Sequence, residues 1–372
     1  MTLQAGYVGN AGIHLTSQIQ VNPVPNNEWV NAAFLNGSAL NALRPAGNFG
    51  SISAFARYGH SSYNALQVLY KWQMGNNSTL QAAYTYSHSI ANVELDNSSG
   101  NVNQEAVTDN SNRGLDKGNT NINRPNIFVL NEVYYLPKLT DKSAVLRGVF
   151  GAWEANSIIT INSGASLSVF SSGANAYQSS PGVGGAPCSA ADITNGTCGI
   201  GSSTLNSTQG SGFTNNNRPD RNTAVNCNAG ENGRQILNAN AFTFVGYSIG
   251  TVGTAARGSC FGPNNRNVDF QLAKNWYFKE RYRVKFAMDF FNLFNHANFN
   301  GGNLEGTGFN TNFICGSQVP GNGTIADPAH YNPCTPANNV VTKIGGNPNS
   351  GFGQSNAVQP GREIQYSLRI YF

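Results

Sequence analysis

The chain has 372 residues, 40% of them hydrophobic and only 11% Asp, Glu, Lys or Arg, with a formal net charge of +4. Ordinary soluble domains carry about 25% charged residues; here Gly, Asn, Ser, Thr and Gln take their place, a composition poor in helix formers. The small net charge and the lack of any Lys/Arg run exclude the electrostatic footprint of a nucleic-acid binder. No stretch approaches the ~18 consecutive apolar residues of a membrane-spanning helix. That excludes a helical membrane protein but not a β-barrel, whose strands alternate and never give a long apolar run.

The first residues, Met1-Thr2-Leu3-Gln4-Ala5-Gly6-Tyr7, have neither the basic start nor the apolar block of a signal peptide. Strands are expected at 2–9 and 13–21, separated by a turn at Asn10-Ala11-Gly12. A long polar stretch follows to about 61. The next strand, 62–74, puts Leu66, Val68, Tyr70 and Trp72 on one face and Gln67, Leu69 and Lys71 on the other. After a turn at Gly75-Asn76-Asn77, strand 78–89 opposes Leu80, Ala82, Tyr84 and Tyr86 to Gln81, Ala83 and Thr85. Such period-two alternation marks a strand with two different environments. A second long loop runs to about 125. Strand 126–136 is ambiguous, since either choice of face includes Asn131 or Glu132. A modest turn holding Pro137 and Gly148 leads to strand 149–163, with an extension to 170 possible.

The longest loop ends near 266. Strand 267–278 places Lys274 on its apolar face, where it is expected to snorkel toward lipid headgroups. Past Lys279-Glu280, strand 281–293 alternates most clearly: Tyr282, Val284, Phe286, Met288 and Phe290 against Arg283, Lys285, Ala287, Asp289 and Phe291. A last long loop precedes strand 361–372, with Ile364, Tyr366, Leu368, Ile370 and Phe372 on one face.

These strands run to about 11 residues, twice the length usual in soluble sheets. Tilted near 45°, such a strand crosses about 25 Å, the height of the apolar band of an outer-membrane barrel. Short turns alternate with long loops, as they do where turns face the periplasm and loops face outside. The expected fold is therefore all-β: part of an antiparallel transmembrane barrel of about nine long strands. An odd count in a family of even-numbered barrels predicts an incomplete barrel whose free edges are costly in lipid.

Six cysteines, Cys188, Cys198, Cys227, Cys260, Cys315 and Cys334, lie in Gly/Asn/Ser-rich stretches. Their even number suits disulfides in an oxidising compartment. Of the fifteen connectivities that six cysteines allow, pairing of neighbours is the simplest. No C-x-x-C unit and no histidine at ligand spacing supports zinc. His60, His88 and His296 near strand ends, with His14 and His330, read as rim or loop residues. Neither a P-loop, a G-x-S-x-G elbow nor an H-E-x-x-H pair occurs. Glu132, Glu154, Asp269 and Asp289 read as wall residues rather than a catalytic pair. No catalytic, metal or cofactor site is expected, and no cofactor. Tyr7, Tyr70, Trp72, Tyr84, Tyr86, Trp153, Trp276, Tyr277 and Tyr371 are candidates for aromatic girdles at the headgroup level.

Several segments resemble the TonB-dependent outer-membrane receptors of the Oar-like type, often fused to a carboxypeptidase-regulatory-like domain. They are Ser62 to Val68, Tyr84 to Ile90, Arg124 to Leu136, Gly151-Ala152-Trp153 with Ser163-Gly164, and Gly361 to Phe372. The most specific is Asp289-Phe290-Phe291-Asn292-Leu293-Phe294-Asn295-His296-Ala297-Asn298-Phe299. The resemblance implies the C-terminal part of a barrel of about 22 strands with a plug in its lumen, so that the plug, the TonB-contacting box and the N-terminal strands would lie outside residues 1–372. It implies uptake of an unknown extracellular ligand with energy supplied through TonB, and outer-membrane lipid and the barrel-assembly machinery as partners. The assembly signal would be the terminal Ile370, Tyr371 and Phe372. The rival expectation is a secreted or surface adhesin or carbohydrate-binding protein with disulfide-pinned loops, soluble without detergent, its apolar strand faces packed together in a sandwich.

Overall fold

The computed structural model describes residues 1–35, 37–75, 78–93, 95–96, 103–104, 107–169, 174–179, 200–204, 218–229, 234–278, 282–299, 311–315, 334, 336–345, 352–355 and 357–372. Its dominant element is a nine-stranded antiparallel sheet. Eight strands are long: β1 Thr2–Gln20, β2 Ser53–Gln73, β3 Thr79–Ala91, β4 Asn126–Tyr135, β5 Trp153–Asn162, β6 Asn265–Phe278, β7 Tyr282–Phe291 and β8 Glu363–Tyr371. They pair strictly in chain order; the ninth, Gly118–Asn119, adds to the end of β3. A meander of this kind needs only local connections, which here are short at one end of the sheet and long at the other.

One register-determining detail differs from the sequence pattern. The turn expected at Asn10-Ala11-Gly12 is absent, because these residues continue the ladder opposite Tyr63, Ser62 and Ser61. Strands 2–9 and 13–21 are thus one, β1. The irregularity behind the turn signal is a bulge between Gly12 and Thr16, with His14 at φ 56°. A bulge accommodates extra residues and re-aims the strand without breaking it. At the other boundary that shifts, residues 144–150 form a helix, so β5 begins at Trp153. It ends at Asn162, and Ser166–Leu167 pairs instead with Cys260–Phe261.

The cross-strand register sorts the side chains into two faces. One row runs Leu3, Tyr70, Ala82, Leu130, Ile159 and Val268; another runs Lys274, Phe286 and Leu368 beside Trp153. The opposite face carries Lys71, Gln81, Asn131, Asn156, Gln271, Asp289 and Gln365. Among the described residues no second sheet packs on the apolar face: Leu3, Tyr366, Leu368 and Ile370 are each more than 60% exposed. This overturns the sandwich expectation, since a soluble protein does not leave so wide an apolar surface in water. The ambiguity of β4 is resolved with Glu132 on the apolar face, where Ser157 Oγ donates to Glu132 Oε2 at 3.4 Å.

The girdle candidates divide. Tyr7, Tyr84 and Tyr86 lie on the apolar face toward the long-loop end, and Tyr70, Trp72, Trp153 and Trp276 toward the short-turn end. Tyr277 and Tyr371 instead flank Arg283 on the polar face, with the guanidinium carbon of Arg283 3.9 Å from the centre of the Tyr371 ring. They are not girdle residues.

Lys274 departs from its expected role. It lies on the apolar face but is only 1% exposed, and its ammonium does not reach for headgroups. It donates to Gly151 O, with Arg147 O 3.4 Å away, both at the C-terminal end of the helix Ala144–Phe150. The carbonyls at the helix C-terminus, Gly151 O foremost since Arg147 O also accepts from Gly151 N at 3.1 Å, together with the negative end of the dipole, satisfy the cation locally.

Candidate functional site

Two regions present polar chemistry: the polar face of the sheet and the assembly of long loops at its end. On the polar face, the side chains are linked from strand to strand. Lys285 Nζ meets Glu154 Oε2 at 2.9 Å. Asn156 Nδ2 donates to Glu154 Oε1 at 2.9 Å and to Gln271 Oε1 at 2.8 Å, and Gln271 in turn donates to Asp289. Farther along, Asn267 Nδ2 donates to Asp269 Oδ1 at 2.9 Å. The four acidic residues singled out from sequence therefore do not converge: three are spaced along this wall and Glu132 is on the other face. Among the described residues the buried amide oxygens of Asn156, Asn162, Asn265 and Asn275 have no hydrogen-bond partner, and all four lie on the polar face of β5 and β6. Such acceptors are costly to bury dry, so this face favours contact with water over apolar packing.

The long loops fold onto one another. In the first, helices α1 (Trp29–Ala33) and α2 (Gly37–Asn41) bury Val24, Trp29, Ala32 and Leu40, and Val252 of the third loop packs against them. A larger core gathers Leu167, Phe242, Phe244, Tyr247 and Ile249 from the third loop with Val341 and Phe352 from the fourth. Phe244 and Tyr247 stack edge to face at 5.4 Å, and Phe242 meets Phe352 at 6.0 Å. A four-stranded sheet, Ile200–Thr204, Ala174–Ser179, Thr311–Cys315 and Val341–Gly345, joins the same two loops. Disulfides link Cys227 to Cys260 and Cys315 to Cys334; Cys188 and Cys198 lie outside the described residues, as does His330. Gly250, at φ +95°, lets the third loop pass against Val30, whose Cα would stand 2.6 Å from an added Cβ. Gly250→Ala is expected to cost about 1–3 kcal/mol, read as a lowered unfolding midpoint of the loop assembly.

The second loop is strapped to the third. Arg257 Nη1 donates to Asp116 O at 3.1 Å, and Asn119 Nδ2 to Gly258 O at 2.9 Å. The buried Asp116 carboxylate accepts from Thr108 N at 2.9 Å and from Thr108 Oγ1. Burial holds this carboxyl above the ordinary carboxylate range, against the opposing pull of the Thr108 hydrogen bonds and the Arg218 charge.

The Asp289–Phe299 motif is a strand-to-loop device. Asn292, at φ 52°, donates from Nδ2 to His296 O and accepts from His296 N, both at 2.9 Å. Asn295, also at φ 52°, accepts from Arg362 N at 2.9 Å and so joins the motif to the start of β8. Asn tolerates the left-handed region better than other non-glycine residues. Asn292→Ala removes both bonds at a positive φ and is expected to destabilise by about 1–3 kcal/mol, checked by urea titration of the β7–β8 end. His88 Nε2 lies 2.8 Å from Asn119 Oδ1, and His296 Nδ1 lies 3.2 Å from Asn298 Oδ1. Among the described residues no group of three or more His, Cys, Asp or Glu is placed to hold a metal ion.

The loop core lies outside every segment of period-two alternation. Its signal was present in the apolar spacing of Phe242, Phe244, Tyr247 and Ile249 inside an otherwise polar stretch.

A single antiparallel meander with one apolar and one polar face, aromatic residues toward both ends of the apolar band, short turns at one end and folded loops at the other is the wall of an outer-membrane β-barrel. Comparison with protein families agrees. Residues 1–365 match the family model described as "Outer membrane beta barrel domain", and the chain belongs to that family. It is a protein of the bacterial outer membrane. No curated protein matches it.

Proposed function

We propose that this barrel is the wall and outer-loop region of a TonB-dependent receptor of the Oar-like type. It binds a ligand at the loop assembly and passes it along the polar face into the periplasm with TonB-supplied energy. The observation that carries this reading is the loop assembly itself. The first, third and fourth long loops share buried cores, hydrogen bonds strap the second to the third, and a disulfide closes within each of the third and fourth, which is the preorganisation a binding surface requires. The run of receptor-like segments from Ser62 to Phe372 gives it direction, and no catalytic role is assigned. The outer edges of β1 and β8 do not pair with each other. Unpaired backbone in lipid costs several kcal/mol per group, so further strands of the same wall close these edges. Phe372, 93% exposed beyond β8 at the short-turn end, serves with Tyr371 and Ile370 as the signal read by the barrel-assembly machinery.

The test is comparative depletion of small molecules and peptides from growth medium by cells with and without the gene, each with and without a protonophore. The reading expects a solute removed only by gene-bearing, energised cells. Depletion that ignores the protonophore overturns energised uptake. Retention of a glycan or peptide at the cell surface without import would instead make the loop assembly an adhesive surface on a barrel anchor.

A further inference from the structure

The connection between β4 and β5 is unlike the other two short turns. It carries the seven-residue helix α3 (Ala144–Phe150), N-capped by Ser143, whose Oγ accepts from Leu146 N at 3.3 Å. This helix is seated on the apolar face of the wall. Its C-terminal carbonyls take up the three side-chain donors that the apolar face offers at that place. Trp153 Nε1 donates to Val149 O at 2.8 Å, Trp276 Nε1 to Gly148 O at 3.2 Å, and Lys274 to Gly151 O. The Lys274 ammonium also lies 5.5 Å and 5.9 Å from the ring centres of Trp153 and Trp276. The helix is thus fixed by polar contacts beneath, while its own apolar side chains point away from the protein: Val145 is 74% exposed and Phe150 62%, with Leu146 and Val149 also exposed.

We propose that α3 is an interfacial anchor whose partner is the periplasmic phospholipid leaflet, with Val145, Leu146, Val149 and Phe150 entering the boundary between headgroups and acyl chains. The partner follows from continuity. The surface on which α3 sits is the same apolar face that carries Leu272, Phe270, Phe286 and Leu368, and in an outer-membrane barrel that face meets lipid. Its end of the sheet is the short-turn end, which faces the periplasm. A helix held on the lipid side of a barrel cannot present four apolar side chains to water without the cost of an exposed patch, whereas at the leaflet boundary they are buried, as in other interfacial helices. Lys274 locks it there: its charge is tolerated in the apolar face because α3 brings carbonyls to it, and α3 stays on the wall because the charge needs them.

The test uses the protein as purified from outer membranes, transferred into nanodiscs of phosphatidylethanolamine and phosphatidylglycerol. A benzoylphenylalanine photocrosslinker is placed in turn at Val145, at Val149 and, as a control in the loop assembly, at Phe49. Phospholipid-adducted peptides are expected from the first two positions and not from the third. Absence of lipid adducts at both overturns the proposal. So does a dominant protein adduct there when the same photolysis is run in native outer membranes. A second measurement does not depend on the crosslinker: tryptic cleavage after Arg147 should be about tenfold faster in the doubly substituted V145N/V149N chain than in the parent. That contrast should appear in nanodiscs, with cleavage after Lys117 of the second loop unchanged between the two chains. Equal cleavage in nanodiscs overturns the proposal even if the crosslinked variants assemble poorly.

Discussion

Leu272→Arg is expected to destabilise the barrel by about 2–4 kcal/mol, the cost of a guanidinium near the middle of a lipid-facing strand. Leu272 lies midway along β6 between Ala155 and Met288 on the apolar face. Its long side chain would have to hold a charge in hydrocarbon, with Lys274 already occupying the carbonyls that α3 offers. The matched control is Gln67→Arg. Gln67 is an exposed position on the polar face, opposite Gly6 of β1, whose added Cβ would meet nothing within 4 Å. There the same charge enters hydrated space, and the expected effect is below about 1 kcal/mol. Urea unfolding in lipid vesicles, followed by the heat-dependent gel shift of folded barrels, measures both. Similar losses for the two variants would mean that the apolar face is not the one turned to lipid. The sorting of side chains into a lipid face and a hydrated face would then have to be reversed or abandoned.

The second large effect concerns the loops. Closing the chain at Cys227–Cys260, a separation of 33 residues, and at Cys315–Cys334, a separation of 19, restricts the unfolded loops. On the loop-entropy account each bond contributes about 3–4 kcal/mol. Cys227 and Cys260 are themselves buried in the larger loop core, as are Cys315 and Cys334. Removing either pair as Ser therefore also places hydroxyls where sulfur packed against apolar groups. Reduction, or the paired Cys→Ser variants, is expected to open the loop assembly while leaving the eight-stranded ladder in place. Amide exchange would show it: Phe242 to Ile249 should lose protection, and β2 and β3 should keep theirs. Loss of protection in the strands at the same reductant concentration would show instead that loops and wall unfold as one unit.

The two outcomes bear on different parts of the functional reading. The first concerns how the wall meets lipid and says nothing of a ligand. The second concerns whether the loops form a surface with a shape of its own. A loop assembly that melts on reduction while the barrel persists would be a distinct recognition element carried on a membrane scaffold, whether for uptake or for adhesion.

Much of the wall follows from the sequence alone. Period-two alternation in 62–74, 78–89 and 281–293 assigns each residue to a face, because successive side chains of a strand must point oppositely. The alternation of short turns and long loops then orients the sheet. What alternation cannot register is a partner's availability. Asn10-Ala11-Gly12 has turn chemistry, yet Ser61 to Tyr63 stand opposite it, and the ladder absorbs the irregularity as a bulge. Nor can it decide a strand such as β4, where one polar residue must fall on each choice of face; the register with β3 and β5 placed Glu132 outward. Lys274 shows the same limit most plainly. Its position on the apolar face is fixed by counting in twos. What that charge does there depends on carbonyls more than a hundred residues earlier in the chain, which only the packing of α3 against β5 and β6 brings within reach. The loop cores belong to the same class. Phe242, Trp29 and Phe352 carry no shared periodicity, and only the close approach of three separate loops, governed by sterics at positions such as Gly250, makes one buried assembly of them.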